Sequence, residues 1–241
     1  MDIQGKLDVI NSSILIKPKK KKKWYHILLY IFIAILLCIG IAYTIFSIIY
    51  TEIDVVGVSM KPTFNNELPD STTNQEALDS KIKDKVCVNR FSSGTNGDII
   101  VFTRGDEQLI KRIIGMPGDT VNIKYEAAVK KHVVYVNGEP LEESYRSPAG
   151  TISQESSFAI TFQNNMLTYG YTRNNDGSFT IPEGKVFVMG DNRLHSYDSV
   201  DFGAVEKSTI VGRVDVIIRY DTSLFKHLWQ KFKALFGAGN I

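Results

Sequence analysis

The chain has 241 residues, 44% of them hydrophobic, enough for one or two domains with a buried core. Its 28 Lys and Arg stand against 26 Asp and Glu, and the basic excess is concentrated near the N-terminus, so the charge is no general nucleic-acid footprint. Cys38 and Cys87 lie far apart and the four histidines are scattered, which argues against a disulfide framework and leaves no Cys/His cluster with metal-ligand spacing.

Residues 17–23 read Lys-Pro-Lys-Lys-Lys-Lys-Lys, and Trp24 to Tyr50 then runs without an Asp, Glu, Lys or Arg. That stretch exceeds the roughly 20 residues that span a bilayer core as a helix. A secretory signal core is shorter, about 7–15 apolar residues, and ends at small residues. Here Ile, Phe and Tyr dominate the end, so an uncleaved anchor is expected over 24–50, with Trp24, Tyr25 and Tyr50 suited to the two interfaces. The lysines mark the inner side, and Glu52 and Asp54 follow the exit. A cytoplasmic basic tail over 1–23 and an outward-facing body from about residue 52 follow from the positive-inside rule.

Past the anchor, strand signals dominate. Ile53 to Val58, Lys85 to Asn89, Asp98 to Phe102, Thr120 to Ile123, His132 to Asn137, Lys185 to Met189 and Ile210 to Tyr220 are rich in β-branched and aromatic residues. Turn formers such as Asn96-Gly97-Asp98, Pro117-Gly118-Asp119 and Asn137-Gly138 bound them. No helix-period segment of comparable strength occurs between 52 and 220. The fold class is therefore mainly β: a core over 51–124 and 184–222, with a smaller inserted subdomain over 125–183. The polar stretch from about 64 to 84 reads as a loop. At the end, Phe225, Leu228, Trp229, Phe232, Leu235 and Phe236 repeat at helical spacing among lysines, an amphipathic basic helix over 223–241 that suits either the protein body or a membrane face.

Three segments carry chemistry. In Gly57-Val58-Ser59-Met60-Lys61-Pro62-Thr63, glycine permits unusual backbone angles and proline fixes the exit, so the turn can present Ser59 and its own amide to one point. In Leu109-Ile110-Lys111-Arg112-Ile113-Ile114-Gly115, an amine sits among branched aliphatics. An ordinary lysine, with a pKa of about 10.4, is almost wholly charged at neutral pH. Serving as a base requires destabilising its ammonium by about 4 kcal/mol, which burial among those aliphatics can supply. The third, Met189-Gly190-Asp191-Asn192-Arg193-Leu194-His195-Ser196-Tyr197-Asp198-Ser199, packs turn formers, hydroxyls and acids after a strand. It reads as a scaffold for the lysine. His195 beside Ser196 and Asp198 also invites a Ser-His-Asp triad with Ser59, a rival reading.

These segments, in this order and with Gly97-Asp98-Ile99-Ile100-Val101-Phe102 between them, resemble the bacterial type I signal peptidases of Gram-positive type, a Ser/Lys protease family with a single N-terminal anchor. The resemblance covers roughly 52–220. It implies a mainly antiparallel β fold whose core is interrupted by a variable domain, with no metal and no organic cofactor. It implies Ser59 as nucleophile and oxyanion donor through its amide, Lys111 as general base, and Ser196 orienting the lysine. Asp198 would brace the loop of Ser196, Arg112 and Arg193 would pair with carboxylates, and Asp191 and Met60 would support the site. Its partners are secretory preproteins with signal peptides, the lipid bilayer and, transiently, the secretion translocon; nucleic acid is not among them. The implied place is the bacterial cytoplasmic membrane, single-pass, with the N-terminus cytoplasmic. A specialised peptidase for pilins or one secreted substrate, or a non-catalytic membrane assembly factor, are the alternatives. Two departures stand out. Some members carry a serine two residues before the nucleophile where this chain has Gly57, and an arginine after the Asp-Ser pair where it has Val200.

Overall fold

The computed structural model describes residues 24–80, 83–146 and 157–219, so the basic tail over 1–23 and the amphipathic helix expected over 223–241 lie outside the described residues. The chain divides between Ile45 and Phe46 into two compact units. A helix, α1 (Tyr25–Ile49), accounts for the described part of the first and runs into the second. With 25 residues and a mean hydropathy of 2.6, it is long and apolar enough to cross a membrane. A helix suits that task because every backbone group is paired within the segment.

Tyr50 does not behave as an interfacial aromatic. It opens strand β1 (Tyr50–Asp54), stacks on Phe46 at 5.0 Å and is only 9% exposed, with its hydroxyl donating to Asp215 Oδ2 at 3.1 Å. Burial and the Asp215 carboxylate raise the phenol pKa to about 12, so the hydroxyl stays a donor.

The larger sheet is antiparallel throughout its described pairings. Its strands are β1, β2 (Lys85–Asn89), β3 (Ile99–Arg104), β4 (Glu107–Gly115), β9 (Lys185–Met189), β10 (Val205–Glu206) and β11 (Ile210–Ile218), in the order β1-β2-β11-β3-β4-β9-β10. The smaller sheet has the order β7-β6-β5-β8, built from β5 (Thr120–Glu126), β6 (Lys131–Val136), β7 (Glu139–Pro140) and β8 (Phe179–Thr180). Strand β5 belongs wholly to this sheet, so by strand pairing the second layer begins at Thr120, ahead of the boundary read from the sequence.

Three helices interrupt the β pattern among the described residues, α2 (Asn74–Asp79), α3 (Ser157–Thr168) and α4 (Ser199–Phe202), none of them singled out by the sequence periodicity. In α3, Phe158, Phe162 and Met166 recur every four residues, which marks one apolar face. The intervening Gln163, Asn164 and Asn165 give the segment its polar look. Phe162 and Met166 are fully buried with Val121, Ile123, Phe179, Phe187 and Val200 in a core shared by the small sheet, α3, β9 and α4. Phe162 meets the Phe179 and Phe187 rings edge-on at 5.5 and 5.9 Å.

Candidate active site

Strand β1 leaves its ladder before Gly57, whose φ of +87° favours glycine and turns the chain. The Asn65 carboxamide holds this turn, donating to the Val55 and Gly57 carbonyls at 2.8 and 3.0 Å. Met60 anchors the far side. It is buried with Val55, Phe64, Val86, Val101 and Val214, so the side chain after Ser59 is locked into the core. Ser59 is left at the wall of a cleft of about 960 Å³. Residues 53–59 form one side of that cleft and residues 107–111 of β4 line it as well, with His195 and Tyr197 among the other lining residues.

Lys111 faces Ser59 because of sheet register. Ile100 pairs with Lys111 on the β3 side, whereas β9 pairs with β4 only from Arg112 onward. At 3% exposure, Lys111 places Nζ 2.8 Å from Ser59 Oγ and 3.1 Å from the Ile110 carbonyl. Burial pushes the amine down to a pKa of about 8, against the opposing pull of the Asp198 and Asp191 carboxylates. An amine with that pKa is substantially neutral near pH 8 and can take a hydroxyl proton at hydrogen-bond distance.

A family model described as "Signal peptidase, peptidase S26" matches residues 26–219. The chain belongs to the signal peptidase family. Signal peptidase I V of Bacillus subtilis (strain 168) is 32% identical over 194 residues, 80% of this chain and 96% of that protein. Signal peptidase IB of Staphylococcus aureus (strain N315) is 34% identical over 163 residues, 65% of this chain and 80% of that protein. A crystal structure of a signal peptidase I from Enterococcus faecalis V583 aligns over 50% of this chain and 96% of its own at 28% identity, with a TM-score of 0.31.

The third motif follows directly from the end of β9, and its residues tie the segment of Ser59 to the strand of Lys111. Asp191, 1% exposed, accepts from Arg112 Nε and Nη2 at 2.9 and 2.7 Å and from the Thr63 hydroxyl. Arg112 also donates to the Gly97 carbonyl at 2.8 Å and lies 3.9 Å from the Tyr145 ring centre. One carboxylate thus joins the strand of Lys111 to the segment of Ser59. Asn192 adds two clamps: its backbone N–H donates to the Ser59 carbonyl at 3.0 Å and its side chain to that of Val58 at 3.2 Å.

Asp198 caps α4. Its carboxylate accepts from Val200 N at 3.1 Å and from Gly190 N at 2.9 Å, which closes the loop from 190 to 200. Asp198 is thus held by two backbone donors, with Val200 contributing its amide and no side-chain charge. Val200 itself is 2% exposed in the core beside α3, where a charged side chain has no room. Arg193 donates to the Gly190 carbonyl at 3.0 Å and pairs with Glu143, which also pairs with Arg146 at 2.6 Å. Burial tends to raise the Glu143 pKa, but Arg193 and Arg146 outweigh it and hold the carboxyl below its usual range.

Ser196 does not bond the lysine. Its hydroxyl is buried, close to Gly190, and has no hydrogen-bond partner among the described residues. His195 instead approaches Asn192 Oδ1 through Nδ1 at 3.3 Å, while Ser59 Oγ is engaged by Lys111. Glu143, Tyr145 and Arg146 escaped the sequence reading, which took them only as part of the inserted subdomain over 125–183. Their charged partner Arg193 lies fifty residues on, beyond any local pattern. Among the described residues, no three His, Cys, Asp or Glu side chains group to hold a metal ion.

Proposed function

We propose that this chain is a membrane-anchored serine endopeptidase that removes N-terminal signal peptides from secreted preproteins, with Ser59 as nucleophile and Lys111 as general base. The observation that carries this reading is the 2.8 Å contact between Ser59 Oγ and a buried Lys111 whose pKa falls to about 8.

An extended precursor segment lies along the cleft and pairs with the backbone of residues 107–111, whose side away from β3 faces the cleft. Neutral Lys111 accepts the Ser59 proton as Oγ attacks the scissile carbonyl. The oxyanion of the tetrahedral intermediate is held by the Ser59 backbone N–H. Lys111, now an ammonium, gives its proton to the leaving amine, which departs with the mature chain. An ester joins Ser59 to the signal peptide. Water then attacks that ester, Lys111 takes its proton, and the returning proton restores the Ser59 hydroxyl. The buried Ser196 hydroxyl is a second hydroxyl for the amine once Ser59 is acylated, and Asp198, Asp191, Arg112, Arg193 and Met60 keep the loops in register. By family likeness the cut follows small residues, especially Ala at the first and third positions.

The anchor α1 holds the site at the bacterial cytoplasmic membrane. Lysines at 17 and 19–23 keep the N-terminus cytoplasmic, which puts the catalytic body outside, where translocated precursors emerge beside the translocon. The test is cleavage of an Ala-x-Ala precursor in detergent with chelator present, by the wild type, Ser59→Ala and Lys111→Ala. Activity in the wild type alone supports the reading; activity surviving in Lys111→Ala refutes the base.

A further inference from the structure

An oxyanion in acyl transfer is stabilised by preorganised donors aimed at one oxygen, and losing one of them is expensive. The Ser59 amide is one such donor, since no backbone carbonyl accepts from it among the described residues. Gly57 has no side chain to offer a second. The space above it is not open, however. A Cβ built on Gly57 would lie 2.8 Å from Asn74 Oδ1 and 3.8 Å from its Cγ, so the Asn74 carboxamide fills the volume where a side chain at 57 would project.

We propose that Asn74 is the second oxyanion donor, its NH₂ group acting beside the Ser59 amide. Gly57, Ser59, Asn74 and Lys111 all line the same cleft. The Asn74 side chain makes no hydrogen bond to other described residues, so its amide is available to a ligand. Rotation by half a turn about Cβ–Cγ exchanges its oxygen for its nitrogen and turns two N–H groups toward the cleft.

The position is built into the fold. Thr73 and Glu76 form a capping box: Glu76 N donates to Thr73 Oγ1 at 3.2 Å and Thr73 N to Glu76 Oε2 at 2.8 Å. That fixes Asn74 as the first residue of α2 with its side chain unused in capping. One turn further on, Ala77 is fully buried with Val58 and Leu68, which joins α2 to the residue before the nucleophile. Asn74 therefore moves with Ser59.

This assignment rests on the Ser/Lys reading above, and one experiment separates the two. Full-length wild type, Ser59→Ala, Asn74→Ala and Asn74→Asp are compared in detergent for precursor cleavage, Tm and affinity for a peptide aldehyde, which forms a hemiacetal oxyanion on Ser59. Asn74→Ala is expected to lose about 100-fold in kcat, the scale of one lost oxyanion donor, with KM nearly unchanged, Tm unchanged and a parallel loss of aldehyde affinity. Asn74→Asp separates donation from helix support. It suits the first turn of α2 as well as asparagine does, yet brings a negative charge in place of donors, so it should be no better than alanine. Recovery of activity in Asn74→Asp, or an alanine variant within about twofold of wild type, overturns the proposal while the Ser59 result leaves the Ser/Lys reading standing. A wild type that does not cleave, or an equally active Ser59→Ala, overturns both.

Discussion

Lys111 Nζ stands 2.8 Å from Ser59 Oγ in a site where the lysine is 3% exposed, so the burial that lowers the amine's pKa also sets that amine against a hydroxyl. Because burial lowers its pKa to about 8, the fraction of neutral amine rises about tenfold per pH unit below that value and levels above it. Single-turnover cleavage should follow that curve, with an acid limb centred near pH 8. A limb centred near 6.5, the range of an ordinary histidine, that vanishes in His195→Ala would transfer the role to His195.

The same burial has a stability consequence of opposite sign to activity. Folded Lys111 releases its proton near pH 8, whereas the unfolded chain holds it up to 10.5, so between these values the unfolded state binds more protons and stability rises with pH. Below about pH 8 the full penalty is present, roughly 3 kcal/mol. Lys111→Met should therefore abolish cleavage yet stabilise the fold at pH 7 by about 1–3 kcal/mol, the lower figure reflecting the lost bond to Ser59. Chemical denaturation at pH 7 and pH 10.5 checks this: the gain should shrink at the higher pH, and a variant less stable than wild type at pH 7 would contradict it.

The environments of Ser59 and Lys111 were legible in the sequence because each sits in a segment whose neighbours announce them. Gly57 and Pro62 bound a turn around Ser59, and Leu109, Ile110, Ile113 and Ile114 surround Lys111 with apolar surface. The β class was legible for the same local reason. What escaped were relations across the sheet. The burial of Tyr50 depends on Asp215, 165 residues away, and the bracing of Arg193 depends on Glu143, fifty residues upstream in the second layer. Strand β4 was read as a motif rather than an element because Glu107, Gln108, Lys111 and Arg112 break its apolar run, although two of those four are buried by pairing and ion-pair partners. The Val200 departure looked like a missing cation; Asp198 is held by two backbone amides, and no sequence pattern shows which amides will point there.

Asp191 and Arg112 form a bidentate pair at 1% and 7% side-chain exposure, with Thr63 as a third party. Asp191→Ala strands the Arg112 charge in a buried site and should cost about 3–5 kcal/mol. Arg112→Lys cannot reproduce the fork and should fail to restore wild-type stability. Combining Asp191→Ala with Arg112→Met removes both charges, so the double variant should be less destabilised than the sum of the singles by more than about 1 kcal/mol. Additive losses in denaturant titrations would mean the two residues do not act as a pair.

Gly190 lies at the point where β9 delivers the third motif to the site, and its φ is not in the left-handed region, so sterics alone require glycine there. A Cβ on Gly190 would sit 2.5 Å from the Ser59 carbonyl oxygen and in contact with the Ser196 hydroxyl. The first obstacle is backbone, clamped by the Asn192 N–H at 3.0 Å, and it cannot swing aside as a side chain would. Gly190→Ala should therefore push the nucleophile segment away from β4 and lengthen the Ser59–Lys111 contact. Displacing reacting groups by about 1 Å lowers rates on the order of 100-fold. Asp198 keeps the backbone N–H groups of residues 190 and 200 and Asp191 keeps Arg112, so the fold should persist with a modest loss of stability. Pairing Gly190→Ala with Ser196→Ala relieves only the hydroxyl clash and should not restore activity. Restoration by that double variant would show that the hydroxyl, and not the Ser59 backbone, is what Gly190 makes room for.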